Sequence, residues 1–487
     1  MDTTKLTVKK AHQALVNKEI SSIELTKSYL NKIKTYNEKY NVYLTITADN
    51  ALEQATKTDN ERALGKNLPA LSGIPAAIKD VIVTKDVRTT ASSKMLDNFI
   101  PPYQSTTIER LNDNGMVMLG KVNCDAFAFG GSTENSGYGP TKNPWDVSKV
   151  PGGSSGGSAA AVSADLSIYA IGTDTGGSIR QPASLCGVTG LKLTYGRASR
   201  FGLMAMASSF DTPGPIAKTV EDCAIIAEAI SGYDQKDGTT TELPVPKFSQ
   251  NISQNIKGMK IGVLSESYGK GVEDGVKKGF DASLKTFREL GAELIDISLP
   301  KLAYGIAAYY ILVPSEISSN LARYDGVRFG HRSQQAGSLL DMQMRSREES
   351  LEDEVKRRIM LGNYTLSSGY YDAYYLKAAK VRTLIKHEFF HAFEKLDAII
   401  CPTSPTVAFD IGSKSEDPLA MYLADIFTVS VNLAGIPALS VPCGFSNGLP
   451  VGLQIIGKAY DEETILRVGH NFEQATEWHT KFPEVSV

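Results

Sequence analysis

The sequence is poor in cysteine, and its five cysteines form no CxxC pair. They are Cys124, Cys186, Cys223, Cys401 and Cys443, and this odd, scattered set is typical of a reducing compartment rather than of a disulfide framework. No segment approaches about 18 consecutive apolar residues, and the N-terminus carries no basic-then-apolar signal peptide. We therefore expect a cytoplasmic protein with no membrane contact.

A strong net charge is also missing. The 51 Lys and Arg residues nearly balance the 54 Asp and Glu residues, which leaves a formal net charge of -3. This balance argues against strong autonomous binding of nucleic acid, so any such contact would need a partner. The 487 residues are 42% hydrophobic and 22% charged, which are ordinary values for a globular protein with a large core.

Hydrophobic periodicity predicts helices and strands that alternate along the chain. Residues 1–65 are expected to be helical, with the spacing of a capping box at Ser21. Short apolar runs and glycine turns fill residues 71–230, and residues 235–258 are polar and turn-rich. Residues 259–297 have the pattern of one strand–helix–strand unit, which implies a parallel pair of strands.

The same mixture of strands and helices continues to the end of the chain, without an internal repeat. We therefore predict one α/β domain over residues 1–487, with a mixed, mostly parallel central sheet covered by helices. Within it, residues 1–65 form N-terminal helices, residues 71–230 form a core that carries the motifs described next, and residues 259–487 form the remaining α/β part.

Two serines, Ser154 and Ser178, each follow a Gly-Gly pair. Glycines let backbone amides approach a ligand, so this is a suitable position for a nucleophile that faces an oxyanion hole. A flexible linker is the alternative, but an alanine-rich helix start and an apolar strand follow the first pair. The G-x-S-x-G pattern of a hydrolase elbow fits Ser154 or Ser155, although residues 144–151 make a poor strand.

A serine nucleophile needs a base, and no histidine lies between residues 79 and 180. The nearer candidate is Lys79, which lies in an apolar segment. A lysine acts as a base only when it is neutral, so its pKa of about 10.4 would have to fall by about three units. Desolvation and nearby positive dipoles supply shifts of that size. The alternative is an ordinary ion pair between Lys79 and a nearby acid such as Asp80.

Three motifs, in this order, resemble the amidase signature family. They are Gly-Ile-Pro with Lys-Asp in residues 73–80, Pro-Gly-Gly-Ser-Ser-Gly-Gly in residues 151–157, and Gly-Thr-Asp-Thr-Gly-Gly-Ser-Ile-Arg-Gln-Pro in residues 172–182. The resemblance implies the fold of that family and its Ser–cis-Ser–Lys catalytic set.

By this resemblance, Ser178 is the nucleophile, Ser154 is the bridging serine after a cis peptide bond, and Lys79 is the base. The resemblance also implies an oxyanion hole made of consecutive backbone amides, those of Thr175, Gly176, Gly177 and Ser178. A non-proline cis bond is costly, and such bonds concentrate at functional sites.

Segments along essentially the whole chain look like the A subunits of the aspartyl/glutamyl-tRNA amidotransferases, a branch of that family. Examples are residues 131–136, 319–332, 355–362 and 431–437. The resemblance implies a glutaminase that passes ammonia to a partner, which amidates mischarged Glu-tRNA(Gln) or Asp-tRNA(Asn). It implies a heterotrimer with B and C subunits, in which ATP and Mg²⁺ bind to the partner, tRNA binds mainly through the partner, and this chain holds no cofactor or metal.

Glutamine as a substrate asks for a cation that faces its α-carboxylate and a carboxylate that faces its α-ammonium. By the same resemblance, these groups are Arg358 and Asp425, with Tyr309 as a further contact. The sequence by itself does not bring the three together, and read alone they are surface charges and a core aromatic residue.

The chain departs from the family pattern at Cys124, Ala126 and Leu193, which bears on the substrate channel or partner contacts rather than on the catalytic set. Two other functions remain open. One is a stand-alone amidase of the same family with other amide substrates. The other is a zinc peptidase, because His387 and His391 belong to a literal H-E-x-x-H motif on a predicted helix, although no third ligand with convincing spacing follows.

Overall fold

The computed structural model describes residues 2–414 and 417–484, and its strands form a single sheet. The strands are β1 Tyr43–Ile46, β2 Pro75–Lys79, β3 Val117–Val122, β4 Tyr169–Asp174, β5 Thr189–Lys192, β6 Thr212–Ala217, β7 Lys260–Leu264, β8 Glu293–Ile297, β9 Ala398–Pro402, β10 Ala438–Ser446 and β11 Leu449–Ile456. Their order across the sheet is β1-β3-β2-β4-β6-β5-β10-β11-β9-β7-β8.

Helices cover this sheet. They are α1 Val8–Val16, α2 Ser22–Tyr40, α3 Ala48–Ala63, α4 Thr106–Asp113, α5 Gly156–Ser163, α6 Arg180–Cys186, α7 Val220–Ile230, α8 Asp274–Glu289, α9 Gly305–Asn320, α10 Leu339–Ser350, α11 Asp353–Leu366, α12 Lys377–Ala392, α13 Pro418–Leu423, α14 Val429–Ala434 and α15 Glu462–Gln474. The structure confirms the predicted α/β domain with a large sheet. The finer division of the chain at residues 65, 71–230 and 259 stays a prediction.

The sheet is mixed, as predicted, but the expectation of mostly parallel strands is wrong. Parallel pairs occur only toward its two ends, in β3-β2-β4 and in β9-β7-β8. The run from β4 through β6, β5, β10 and β11 to β9 is antiparallel throughout. Its centre is a hairpin, because Asn447 and Gly448 both have positive φ and join β10 to β11 in the manner of a two-residue Asn-Gly turn.

Several local predictions are confirmed, but residues 1–65 are not helical throughout, because β1 at Tyr43–Ile46 is a strand that pairs with β3. Helix α2 begins with a capping box, in which the Glu24 amide donates to Ser21 Oγ over 3.1 Å and the Ser21 amide donates to the Glu24 carboxylate over 2.8 Å. The unit β7-α8-β8 has parallel strands, and α8 buries Val276, Phe280 and Phe287 against the sheet. Residues 235–258 contain no helix or strand.

The order of the strands determines where the sequence motifs meet. Strands β2 and β4 are parallel neighbours, so the ends of both strands, at Lys79 and Asp174, lie at the same edge of the sheet. Helix α5 is buried along its whole length, which excludes a flexible linker at residues 151–157. None of the helices in the described residues combines the length and the apolar character that a bilayer crossing requires.

Candidate active site

Lys79 ends strand β2 and is fully buried. Its Nζ lies 2.7 Å from Ser154 Oγ and 2.9 Å from both Ser155 Oγ and Thr173 Oγ1. In the part of the chain that the structure describes, no acidic side chain forms an ion pair with it. The ion-pair alternative is therefore wrong.

Asp80 contacts a different lysine. Its carboxylate lies 3.8 Å from the amine of Lys121 and accepts hydrogen bonds from the backbone amides of Thr90 and Ser92. Successive side chains at a strand end point to opposite faces of the sheet, so Lys79 and Asp80 have separate environments. Asp80 thus holds the loop that follows β2 and does not pair with Lys79, whose amine contacts the serine hydroxyls instead.

Burial lowers the pKa of Lys79 to about 8, against the opposing effect of nearby acidic groups that include Asp125. The surrounding hydroxyls are also compatible with a neutral amine that faces one serine. Ser155 donates its own proton to the carbonyl of Thr173 over 3.1 Å, so its oxygen accepts from Lys79. A neutral amine has two hydrogens, which Ser155 and Thr173 Oγ1 can accept, and its lone pair then faces the hydroxyl of Ser154.

The peptide bond between Gly153 and Ser154 is cis, as the resemblance implies. Only glycine fits before this bond, because a Cβ at position 153 would lie 2.3 Å from Asp125 Oδ2 and 2.6 Å from the amide of Ser132. The Gly153 amide donates to Gln181 Oε1 over 3.0 Å. These contacts fix the backbone that directs the Ser154 hydroxyl toward Lys79.

Ser178 lies in the turn between β4 and α6 and is 9% exposed, whereas Ser154 and Lys79 are fully buried. Its carbonyl accepts a hydrogen bond from the amide of Ser155 over 3.1 Å. Among the described residues, no hydrogen bond joins the hydroxyls of Ser154 and Ser178. The structure therefore brings all three predicted residues to one place, but a hydrogen bond between the two serine hydroxyls has to form before a proton can pass between them.

The turn before Ser178 presents backbone amides to the same space. Across residues 2–414 and 417–484, the amides of Thr175, Gly176 and Ser178 have no hydrogen-bond acceptor. The amide of Gly177 differs, because it donates to Asp174 Oδ1 over 3.0 Å. Gly177 therefore has no free amide for the predicted oxyanion hole, and the other three amides remain candidates for it.

Asp174 holds this turn through a buried network. Burial by itself would raise the pKa of Asp174, but the guanidinium of Arg180 overcomes that effect and holds it well below its usual range. Arg180 contacts both carboxylate oxygens, with distances of 3.0 Å from Nε and 2.9 Å from Nη2. Asn432 donates to the same carboxylate over 2.8 Å, and Gln454 accepts from Arg180. The shape of the turn thus depends on residues from the C-terminal part of the chain.

Tyr309 and Arg358 reach the site from helices α9 and α11. Tyr309 contacts Gly176 so closely that a Cβ on that glycine would lie 2.4 Å from the tyrosine hydroxyl oxygen. Arg358 is buried, and its Nε donates to Glu354 Oε1 over 2.8 Å. Its guanidinium lies near the rings of Tyr310 and Tyr422, with the ring centroids 5.3 and 5.6 Å away. In the described chain its two terminal nitrogens donate to no other residue, so they remain available to an anion.

Asp425 lies between α13 and α14. Burial raises its pKa to about 7, and the positive charge of Arg358 opposes the shift. The two groups interact electrostatically but form no ion pair within 4.0 Å in the described residues. Thr428, three residues further on, donates to the carbonyl of Gly176 over 2.7 Å. This hydrogen bond connects the segment to the turn that bears Ser178. The predicted substrate contacts thus surround one side of the turn, with opposite charges that are free to bind a zwitterion.

The zinc alternative is not supported. His387 and His391 do lie on one helix, α12. His391 Nδ1 lies 3.3 Å from Glu394, and Glu388 pairs with Lys301. Within the described residues, no group of three or more His, Cys, Asp or Glu side chains is arranged to hold a metal ion. The motif is a coincidence of helix composition.

Sequence reasoning missed two hydroxyl partners of Lys79, namely Ser155 and Thr173. The signal was present, because both lie in the same motifs as the predicted serines.

Of the three departures from the family pattern, Cys124 is fully buried and its sulfur lies 3.2 Å from Ser92 Oγ. Ala126 and Leu193 are also fully buried, and their effect on channels or partner contacts stays a prediction.

A buried amine that contacts a serine, with a second serine beside free backbone amides, defines the class of serine-dependent amide hydrolases. The family model described as Amidase matches residues 24–466, and the chain belongs to this family. The chain is 56% identical over 481 residues to the A subunit of the glutamyl-tRNA(Gln) amidotransferase of Thermoanaerobacter pseudethanolicus, a match that covers 99% of this chain and 98% of the relative.

Solved structures agree with this result. The crystal structure of the A subunit of the glutamyl-tRNA(Gln) amidotransferase from Thermotoga maritima is 41% identical in sequence, with a TM-score of 0.83 and coverage of 100% of this chain and 99% of that one. The native peptide amidase from Stenotrophomonas maltophilia is 31% identical, with a TM-score of 0.84 and coverage of 97% of each chain. The described part of the chain therefore has the fold of this family.

Proposed function

We propose that this chain is the glutamine-hydrolysing subunit of a tRNA-dependent amidotransferase. One observation carries the proposal, the contact of 2.7 Å between the buried amine of Lys79 and Ser154 Oγ, next to the turn that bears Ser178. A neutral amine in this position accepts the proton of Ser154 as Ser154 accepts the proton of Ser178.

The reaction then has two halves. Ser178 Oγ forms a bond to the carbon of the side-chain amide, and the amides of Thr175, Gly176 and Ser178 stabilise the oxyanion of the tetrahedral intermediate. The proton returns through Ser154 to the leaving nitrogen, the C–N bond breaks, and ammonia departs. Water then attacks the acyl group under the same base, and glutamate leaves as Ser178 regains its proton.

Glutamine suits the charges around the turn. Its α-carboxylate would bind to the free terminal nitrogens of Arg358, and its α-ammonium would bind to Asp425 in its ionised form. Tyr309, which contacts Gly176, would lie beside the amide that reacts. The terminal nitrogens of Arg358 and the carboxylate of Asp425 form no ion pair with each other in the described structure, which supports this arrangement.

The relatives also guide the proposal for partners. The chain is 56% identical to the A subunit of an amidotransferase and 31% identical to a peptide amidase, which favours a role within a complex over a stand-alone amidase. The proposed assembly is a cytoplasmic heterotrimer with B and C subunits, in which ammonia passes to a partner that binds ATP and Mg²⁺. Contacts to mischarged tRNA would come mainly from that partner, consistent with the net charge of -3.

The test is hydrolysis of glutamine by the purified chain, with and without the proteins that co-purify with it. Ammonia release, and mass spectrometry that finds a glutamyl group on Ser178, are the expected results. Ser178→Ala should abolish turnover, whereas Ser163→Ala, which removes a buried hydroxyl bonded to the carbonyl of Cys186, should retain it. Turnover of glutamine by folded Ser178→Ala would refute the assignment, and hydrolysis of other amides without any partner would favour a stand-alone amidase.

A further inference from the structure

Asp211 is a buried carboxylate that contacts Thr175. Thr175 is the first residue of the turn at residues 175–178, here called the oxyanion turn. It directly precedes β6, and the antiparallel register pairs Asp174 of β4 with Thr212 of β6. Asp211 therefore lies opposite Thr175, the residue that follows β4. The Thr175 hydroxyl donates to Asp211 Oδ1 over 2.7 Å, and the two residues are 1% and 5% exposed.

The carboxylate of Asp211 is itself held in place. Its Oδ2 accepts hydrogen bonds from the amides of Met206 and Ala207 over 2.9 and 3.1 Å. The neighbouring residue, Phe210, packs edge-on against the ring of Tyr309 at 6.0 Å between centroids. One short segment thus supports both the start of the turn and a side chain that contacts it.

The turn needs such support because its two central residues have no side chains that could be held. Gly176 and Gly177 lack side chains, and Gly177 has a φ of +137° that other residues rarely adopt. Asp174 holds the amides of Gly177 and Ile179 at one end. At the other end, Thr175 is the first residue of the turn with a side chain that can be held, and Asp211 is the group that holds it.

We propose that Asp211 is a positioning residue for amide hydrolysis, which aims the backbone amide of Thr175 at the oxyanion by binding the Thr175 hydroxyl. The inference rests on the function proposed above. Asp211 would act through Thr175 rather than on the substrate, so its effect would be confined to how well the turn stabilises the tetrahedral state. Loss of one oxyanion donor costs about 10²- to 10³-fold in kcat, and a donor that is misaligned rather than lost costs less.

The experiment compares kcat and KM for glutamine in the full-length protein with its co-purifying partners. Thr175→Val is nearly isosteric and removes only the hydroxyl, so it should lower kcat by about 10- to 100-fold and leave KM within about threefold. Thr175→Ser keeps the hydroxyl and should restore most of the activity. Asp211→Asn should lower kcat as well, because an amide side chain cannot accept from Thr175 and from both backbone amides with the same strength.

Two further measurements separate positioning from general stability. The double variant Asp211→Asn with Thr175→Val should be no slower than the worse single variant, since both remove one interaction. Binding of a glutamine-derived aldehyde, which forms a tetrahedral adduct on Ser178, should weaken in parallel with kcat, while binding of glutamate should not change. Asp222→Asn serves as the matched control, because Asp222 is another buried carboxylate but accepts from the amide of Lys9, outside the site, and its variant should keep wild-type kcat.

The outcomes distinguish failure of the positioning role of Asp211 from failure of the proposed function. If the wild type hydrolyses glutamine but folded Thr175→Val retains its kcat, the positioning role is overturned and the proposed function stands. The same holds if the loss appears only in KM, or if Thr175→Ser is as slow as Thr175→Val. If Asp211→Asn does not fold, the two Thr175 variants carry the test alone. If the wild type hydrolyses no glutamine with its partners present, the proposed function fails, and the role of Asp211 fails with it.

Discussion

Glutamine hydrolysis should rise with pH up to about 9, because Lys79 has to be neutral to accept a proton. Burial lowers the pKa of Lys79 to about 8 in the folded protein. Below that pH the neutral fraction falls about tenfold per unit, from about 10% at pH 7 to about 1% at pH 6. Above pH 9 the fraction exceeds about 90%, so the rate should reach a plateau.

A second group contributes to the fall in activity at acidic pH, the acid limb of the pH profile. Burial raises the pKa of Asp425 to about 7, and only its ionised form binds an ammonium group. Protonation of Asp425 therefore weakens substrate binding below pH 7, whereas protonation of Lys79 stops the chemistry. The profile of kcat/KM should fall with a slope of two below pH 6, and that of kcat with a slope of one.

Two variants assign the limbs to these residues. Asp425→Asn should reduce the limiting slope of kcat/KM to one and leave the limb in kcat. Thr173→Val removes one of the three hydroxyls within 2.9 Å of Lys79 Nζ, and so removes an acceptor that stabilises the ammonium form. The pKa of Lys79 should fall further, and the limb in kcat should move to lower pH by about one unit.

The assay is ammonia release at saturating and at low glutamine between pH 5.5 and 9.5, with folding monitored at each pH. A flat kcat from pH 6 to pH 9 in a protein that stays folded would refute a lysine base. A limb that Thr173→Val leaves in place would show that a group other than Lys79 titrates. Either result removes the physical basis of the proposed relay, whatever the identity of the substrate.

Two other predictions concern substrate binding and stability. Arg358→Lys keeps the charge near Glu354 but loses the planar fork, so KM for glutamine should rise about 10-fold at nearly constant kcat, while hydrolysis of a primary amide without an α-carboxylate should not change. Glu473 is buried, and burial raises its pKa to about 8. The folded state thus keeps a proton that the unfolded state has lost, and stability should fall as pH rises from about 4.5 to 8. Glu473→Gln should flatten that fall and raise the free energy of unfolding by about 2–4 kcal/mol at pH 8, as measured by denaturant titration at pH 5 and 8; equal pH dependence in both proteins would contradict it.

The candidate catalytic residues could be found in the sequence because they lie in short local motifs. Ser154 and Ser178 each follow a pair of glycines, and Lys79 lies in an apolar segment, which is compatible with a lowered pKa. The antiparallel centre of the sheet could not be predicted in the same way. Strand order depends on contacts between distant segments, although the Asn447-Gly448 pair did carry the local signal for one hairpin.

The predicted substrate contacts depended on resemblance alone. Tyr309, Arg358 and Asp425 come from α9, α11 and the segment between α13 and α14, and no spacing in the sequence relates them. For the oxyanion turn, the residues could be found in the sequence but the hydrogen bonds of their amides could not. The predicted residues do lie in one turn, but the amide of Gly177 donates to Asp174, and a sequence cannot show which amide a carboxylate will occupy.

The buried guanidinium of Arg180 has a consequence for protein synthesis. Its partners Asn432 and Gln454 lie 252 and 274 residues later in the chain. Because translation proceeds from the N-terminus, a ribosome has delivered Lys79 and both serines long before it delivers these two residues. An unfinished copy therefore carries the three motifs without the residues that shape the turn, and we expect truncated chains to lack the proposed glutaminase activity.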